Sequence, residues 1–266
     1  MLIGAQAFPH GPSVFEMVPK IKKSKFDAVE IVLEFPNTVE SFSPKERKRI
    51  QVALKESNLY ATIHAPFSYL DSASPNKDVR AMALAKLVET FNIAEDIGAK
   101  IVTVHAPDYR VLLSEIVDAY VETIRALWAK VKSDKVKLAI ENTLQNYRQF
   151  NNIISKINNR EIAITYDVGH ANLNGDPVKF LEMIPAERIV NVHLHDNFGS
   201  KDEHLPIGEG NIDFSAILNT LFKQGYNGLF IIEHATWFYY PKSKKKLKYL
   251  IKKTTKAMPI DINNRT

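Results

Sequence analysis

The 266-residue chain has no cysteine. Disulfides, thiol nucleophiles and thiolate metal sites are excluded together, so any bound metal must be held by imidazole and carboxylate. Such donors suit zinc, manganese, iron or cobalt, with magnesium less favoured where histidines dominate. Although 45% of the residues are hydrophobic, no stretch approaches the roughly 18 uninterrupted apolar residues of a membrane span. No membrane role is expected. A basic segment followed by an apolar one is also missing ahead of MLIGAQAF, which enters a strand pattern at once, so a cytoplasmic location is the default expectation. Acidic residues are absent from PKSKKKLKYLIKKTTK (241–256), whose eight lysines more than account for the formal charge of +5. The rest of the chain is mildly acidic, which weakens a nucleic-acid reading of that charge. Leu247, Leu250, Ile251 and Thr254 fall at helical spacing within the segment, making its lysines the expected wet face of an outer helix.

Short β-branched or alternating runs recur throughout and predict eight strands: 2–8, 27–34, 60–66, 100–106, 137–142, 162–168, 189–195 and 228–234. Helical patterns lie between them, at 13–24, 44–57, 77–97, 114–132, 146–158, 177–184, 214–224 and 243–257. Ser43-Pro44-Lys45-Glu46 reads as a capped start and Gly98 as a stop, while Asp176-Pro177 repeats the cap-then-proline signal. Strand then helix, eight times and with no long linker, predicts an α/β fold: a single (β/α)8 TIM barrel spanning residues 1–266.

Six of the strands end in ionisable residues: ATIHAPF (61–67), IVTVHAPD (101–108), LAIENT (138–143), IAITYDVGH (162–170), IVNVHLHD (189–196) and LFIIEHA (229–235). Buried ionisable groups are costly unless paired or metal-bound, so their repetition at one end of parallel strands implies a common site. Nine side chains are candidates: His64, His105, Glu141, Asp167, His170, His193, Asp202, His204 and Glu233. Alternation along a strand supplies a check. If His64, His105, Glu141, Asp167, His193 and Glu233 point inward, so do Thr62, Thr103, Ala139, Thr165, Asn191 and Ile231, whereas bulky Ile63, Val104, Ile140, Tyr166, Val192 and Ile232 point out. Gln6 and Glu30 share the inward parity and are expected substrate contacts, as are Phe67 and Tyr69 after the third strand. His10, His195 and His234 have no comparable support and read as hydrogen-bonded structural groups. Gly208 and Gly210 are expected to allow tight turning, and Asp213 to cap a helix.

From IGAQ to IIEH the chain resembles the xylose-isomerase-like TIM-barrel superfamily, which includes sugar and sugar-phosphate isomerases and epimerases together with endonuclease IV, the family 2 apurinic/apyrimidinic (AP) endonucleases. HAPF, VHAP, IENT, YDVGHA, VHLHDN and DEHLPIGEGNIDF carry the likeness in order, the last being the most distinctive. The resemblance implies one to three divalent ions, zinc or manganese above all. His64 and His105 would hold one, Asp167, His193 and Glu233 a second with Glu141 between them, and His170, Asp202 and His204 a third. Two activities follow from it. In the first, Glu141 and Glu233 are the catalytic pair of an isomerase or epimerase acting on a sugar or sugar phosphate. In the second, the trinuclear set hydrolyses abasic-site DNA. The complete ligand set favours the hydrolase. The acidic second strand FDAVEIVLEFP, without a basic and aromatic DNA-contacting loop after it, favours the isomerase. Neither the individual sugar nor the oligomeric state is indicated.

Overall fold

In the computed structural model, which describes residues 1–7, 13–109 and 111–257, the β-branched runs form eight short parallel strands. They are β1 (Leu2–Ala7), β2 (Ala28–Val32), β3 (Tyr60–His64), β4 (Ile101–His105), β5 (Lys137–Glu141), β6 (Ala163–Asp167), β7 (Ile189–Leu194) and β8 (Leu229–Ile232). Each pairs with its sequence neighbour, and β1 returns to β8, closing the barrel. The helices are α1 (Val14–Lys23), α2 (Pro44–Ser57), α3 (Lys77–Ile97), α4 (Ser114–Val131), α5 (Tyr147–Ile157), α6 (Val168–Leu173), α7 (Pro177–Met183), α8 (Phe214–Lys223) and α9 (Tyr240–Ala257). This is the expected (β/α)8 TIM barrel. No helix among the described residues is long and apolar enough to cross a membrane.

Local chemistry accounts for the helix ends. Ser43 accepts a hydrogen bond from the Glu46 amide at 3.3 Å with Pro44 in the first turn, and α3 stops at Gly98, whose φ of 82° is in the left-handed region. Asp213 caps α8 by accepting from the Ser215 and Ala216 amides. One helix, α6, is absent from the sequence expectation. Its six residues are too few to display a period, and its cap, Asp167, ends the preceding strand while accepting from the His170 amide at 2.6 Å.

The barrel interior is layered as strand alternation requires. Ala28, Ile101, Ala139, Ala163, Leu229 and Ile231 form a small apolar cluster of their own, the floor of the barrel. Two residues on from Ala28, Ile101 and Ala163 come the polar Glu30, Thr103 and Thr165, which with Thr62 and Asn191 are all fully buried. Thr103 and Thr165 share a hydrogen bond of 2.9 Å across the interior. The outward set, with Ile63, Val104, Ile140, Tyr166, Val192 and Ile232, belongs to the large core under the helices. An apolar floor, a polar middle and ionisable side chains at the C-terminal strand ends match the stacked interior of this architecture.

The basic segment forms α9 with Leu247, Leu250 and Thr254 buried, but the expectation that all its lysines face water is corrected at Lys244. Lys244 is only 8% exposed. Its ammonium donates to the backbone carbonyls of Ser24, at 2.8 Å, and of Lys25, and lies 4.4 Å from the centre of the Phe26 ring. Carbonyl groups left at the end of α1 thus find a donor from the last helix, which pins α9 against the α1–β2 turn.

Candidate metal centre

The strand ends and the β7–α8 loop bring their side chains to one place, in overlapping groups, Glu30 with His193 and Glu233 among them, whose donor atoms lie within 4.8 Å of one another. They resolve into an inner, a second and an outer set. In the inner set, Nδ1 of His193 is 3.0 Å from Glu141 Oε1, 2.9 Å from Glu233 Oε1 and 3.9 Å from Asp167 Oδ2. In the second, Nε2 of His64 and of His105 converge on Glu141 Oε2 at 3.1 and 3.4 Å. Glu141 therefore offers one oxygen to each set. The outer set joins His170 Nε2 and His204 Nε2 to Asp202 Oδ2 at 3.4 and 3.2 Å. All nine residues expected as ligands are brought together.

Second partners fix the imidazoles. His64 Nδ1 is 2.9 Å from the Ala65 carbonyl, and His170 Nδ1 is 3.0 Å from the Asn142 carbonyl, so each ring has its other nitrogen free for the site. Asn142 and Asp167 exchange two hydrogen bonds of 2.9 Å, which lock the ends of β5 and β6. Asp167 Oδ1 is engaged by the His170 amide, whereas Oδ2 is buried with no hydrogen-bond partner. A buried carboxylate oxygen without a donor is costly, and a cation satisfies it. The donor set of carboxylate and neutral imidazole fits zinc or manganese.

Charge pairing overrides burial at most of these groups. Burial lowers the His64 pKa, but the hydrogen bond and charge of Glu141 outweigh it and raise it to about 9. His105 faces the same Glu141 oxygen and goes the other way, to about 3. Burial dominates there, and the charges on His64, His170 and His193 add to it against the pull of Glu141. One carboxylate oxygen can pair fully with one imidazolium, and His64 is the closer ring. Burial pushes His170 and His193 down, yet nearby carboxylates hold both well above the usual histidine range. Glu141, Asp167 and Asp202 lie below the usual carboxylate range, because neighbouring imidazoles outweigh the opposing effect of burial. The cluster is thus a lattice of alternating charge in which a cation would have to compete with protons.

A cavity of about 240 Å³ opens onto the three sets and is lined by Gln6, Val32, His64, Phe67, His105, Glu141, His170, Asp202, His204 and Glu233. Phe67 is stacked on His105 with ring centres 4.8 Å apart. Tyr69 is not part of this lining and is 42% exposed. Glu30 is not part of it either: it lies fully buried below the ligands.

A family model described as xylose isomerase-like TIM barrel matches residues 18–252. The chain belongs to the xylose isomerase-like TIM barrel family. Relatives include the uncharacterized protein MJ1311 of Methanocaldococcus jannaschii, 34% identical over 89% of this chain and 84% of that protein. The L-ribulose-5-phosphate 3-epimerase UlaE of Shigella flexneri is 24% identical over 86% of this chain and 84% of the relative. Among solved structures, a D-tagatose 3-epimerase-like protein superposes with a TM-score of 0.87 at 31% identity, covering 96% of this chain and 99% of that one. The chain is thus similar to sugar epimerases of this family.

Within this xylose isomerase-like barrel, one residue read as structural sits inside the site. His195 is fully buried, and neither ring nitrogen makes a hydrogen bond. Its Nε2 is 3.2 Å from Asp167 Oδ1, its Nδ1 is 3.6 Å from Asp202 Oδ1, and its ring stacks on His204 at 3.8 Å. It therefore stands between the inner and outer sets. The signal was present: His195 follows His193 by two and shares its parity. A Cβ at Gly169 would overlap the His195 ring, so glycine is needed in YDVGH to admit it. Asp196, also unremarked, accepts from the Asn197, Gly208 and Ile212 amides and holds the loop carrying Asp202 and His204 over the barrel. Gly208, with φ 88°, supplies the tight turn, and at Gly210 a Cβ would overlap the Asn197 carbonyl. His234 is hydrogen-bonded on both sides, to the His204 carbonyl at 3.0 Å and Ser243 Oγ at 2.7 Å. His10 lies outside the described residues.

Proposed function

We propose that the protein is a divalent-metal-dependent isomerase or epimerase acting on a sugar or sugar phosphate by metal-assisted proton transfer. The observation that carries this reading is the convergence of Glu141 and Glu233 on His193 Nδ1, at 3.0 and 2.9 Å, with both carboxylates lining the cavity. Glu141, Asp167, His193 and Glu233 would hold the ion, zinc or manganese. When bound, the ion supplies charge that acidifies a carbon next to a substrate carbonyl or hydroxyl.

The side chains do the rest. Glu141 and Glu233 can each take or return a proton, so two carboxylates serve a deprotonation on one face and a reprotonation on the other. Gln6 donates to Glu233 Oε1 at 2.7 Å, which orients that carboxylate. Phe67 offers an apolar wall over His64 and His105 and excludes water from that side. A cavity near 240 Å³ lies below the roughly 300–1,000 Å³ of drug-sized ligand sites and suits a monosaccharide. The epimerases among the relatives support the substrate class.

The convergence of all nine donors favours one second reading, phosphodiester hydrolysis at abasic DNA sites with three ions. Incubating the zinc- or manganese-loaded protein with ketoses and ketose phosphates in deuterated water separates the two. Carbon-bound deuterium in the recovered sugar is expected, and nicking of abasic DNA without any sugar exchange would replace the epimerase with the nuclease.

A further inference from the structure

Glu30 is a fully buried carboxylate that the chemistry above leaves without a task. It lies on β2 in the polar layer and contributes nothing to the cavity wall. Everything around it is a donor. Oε2 accepts from Thr62 Oγ1 at 3.0 Å and Asn191 Nδ2 at 3.3 Å, while Oε1 is 3.5 Å from Gln6 Nε2 and 3.1 Å from His193 Nε2. A glutamine there would have one acceptor oxygen, and its amide nitrogen would confront another donor. Only an ionised carboxylate, which accepts at both oxygens, satisfies the surroundings. Burying a charge without a bound substrate to meet it is expensive, so its effect has to lie in what its partners do.

Those partners lead to the site. Two groups lie at hydrogen-bond distance of His193 Nε2: the Asn191 amide nitrogen at 2.9 Å, itself a donor, and Glu30, which accepts. Gln6, whose amide lies next to Glu30, reaches on to Glu233. We infer that Glu30 is a positioning residue: it accepts a hydrogen bond from the Nε2–H of His193, so that Nδ1, once a metal takes the place of its proton, turns its lone pair toward the space between Glu141, Asp167 and Glu233, and through Gln6 it steadies Glu233. This replaces the substrate contact expected for Glu30 with a role one layer below the substrate. The inference rests on the metal-dependent reading of the inner set.

Two readouts test it on the full chain. In zinc affinity measured by chelator competition, Glu30→Gln is expected to bind about 10–100-fold more weakly than wild type, the range found when a carboxylate behind a metal-bound histidine is removed. Glu30→Asp, which keeps both acceptor oxygens on a shorter arm, should recover part of the loss. In nitrogen-15 NMR of zinc-loaded and of metal-depleted protein, the His193 Nε2 proton should be downfield and slow to exchange in wild type, and shifted upfield and fast in Glu30→Gln. Should Glu30→Gln not fold, Glu30→Asp carries both comparisons. Wild-type zinc affinity together with an unmoved Nε2 proton in the folded variant overturns the role of Glu30. A wild-type protein that binds no zinc overturns the metal reading instead, and the Nε2 proton of the metal-depleted protein still decides what Glu30 does.

Discussion

The inner and outer sets are built from the same donor types but on different supports. Glu141, Asp167 and His193 end strands of the barrel and are essentially inaccessible, each backed by residues of the polar layer or by neighbouring strand ends. His170 lies in a six-residue helix, and Asp202 and His204 lie in the loop between β7 and α8, with the Asp202 side chain 39% exposed. Groups on strands are held by a whole sheet. Groups on a loop are held by a few hydrogen bonds and are more exposed to local opening. The lesson is that equal ligand chemistry does not imply equal occupancy: an ion at the inner set would meet a preorganised site and be held tightly, whereas one at the outer set would be expected to come and go.

The largest effect expected concerns chemistry at the inner set. Replacing Glu141 or Glu233 by glutamine keeps an oxygen donor and removes the base, so turnover on an epimerised sugar should fall about 100-fold or more at saturating metal. Full turnover by Glu233→Gln would leave the proton-transfer role without support. Next comes metal content. Elemental analysis of a His193→Ala, Asp167→Ala double variant should show nearly all tightly bound metal gone, whereas Asp202→Ala should lose only what dialysis already removes from wild type. Equal losses in the two variants would erase the distinction drawn between the supports.

A third expectation concerns pH. In metal-depleted protein the His64 pKa is raised to about 9 from an ordinary value of 6.5. The stabilisation from its pairing with Glu141 is fully present below about 6.5 and lost as pH rises through about 9. A metal at His64 must displace that proton, so affinity should rise over the same interval. Melting temperatures with and without zinc should therefore diverge between pH 6.5 and 9, and parallel curves would rule out His64 as a ligand. The smallest effects are on α9: Lys245→Gln with Lys246→Gln should leave turnover nearly unchanged. Lys244→Gln should cost on the order of 1–3 kcal/mol of stability by denaturant titration, because its charged donor to the Ser24 carbonyl is lost. A loss of nucleic-acid affinity in the first pair, with a flatter salt dependence, would mark α9 as a phosphate-binding face.

Much of the barrel was legible because each strand is a run of β-branched residues whose alternation gives its inward face. That parity correctly grouped Thr62, Thr103, Thr165 and Asn191 with the site residues. It gives a face but not a height along the barrel axis. Glu30 and Gln6 share it, yet Gln6 reaches the cavity and Glu30 stops a layer below. Burial of Lys244 was hidden for a related reason: the carbonyls that receive it end α1, more than two hundred residues earlier. Tyr69 follows Phe67 by two, but in a loop that spacing carries no rule about direction, and only Phe67 joins the wall.

The seam between β1 and β8 has a kinetic meaning. Gly4 pairs with Ile231, and Gln6 meets Glu233, so residues 227 apart in sequence must find each other before the sheet is closed. Contacts of such separation form late and slowly, after the cheaper neighbouring βα units have assembled. A nascent chain halted just before β8 would carry seven of the eight strand sequences and the residues up to His204, yet lack Glu233, one of the two carboxylates proposed to transfer the proton. On the proposed chemistry, activity would therefore arrive in a single step with the last strand, and partially synthesised chains would be silent.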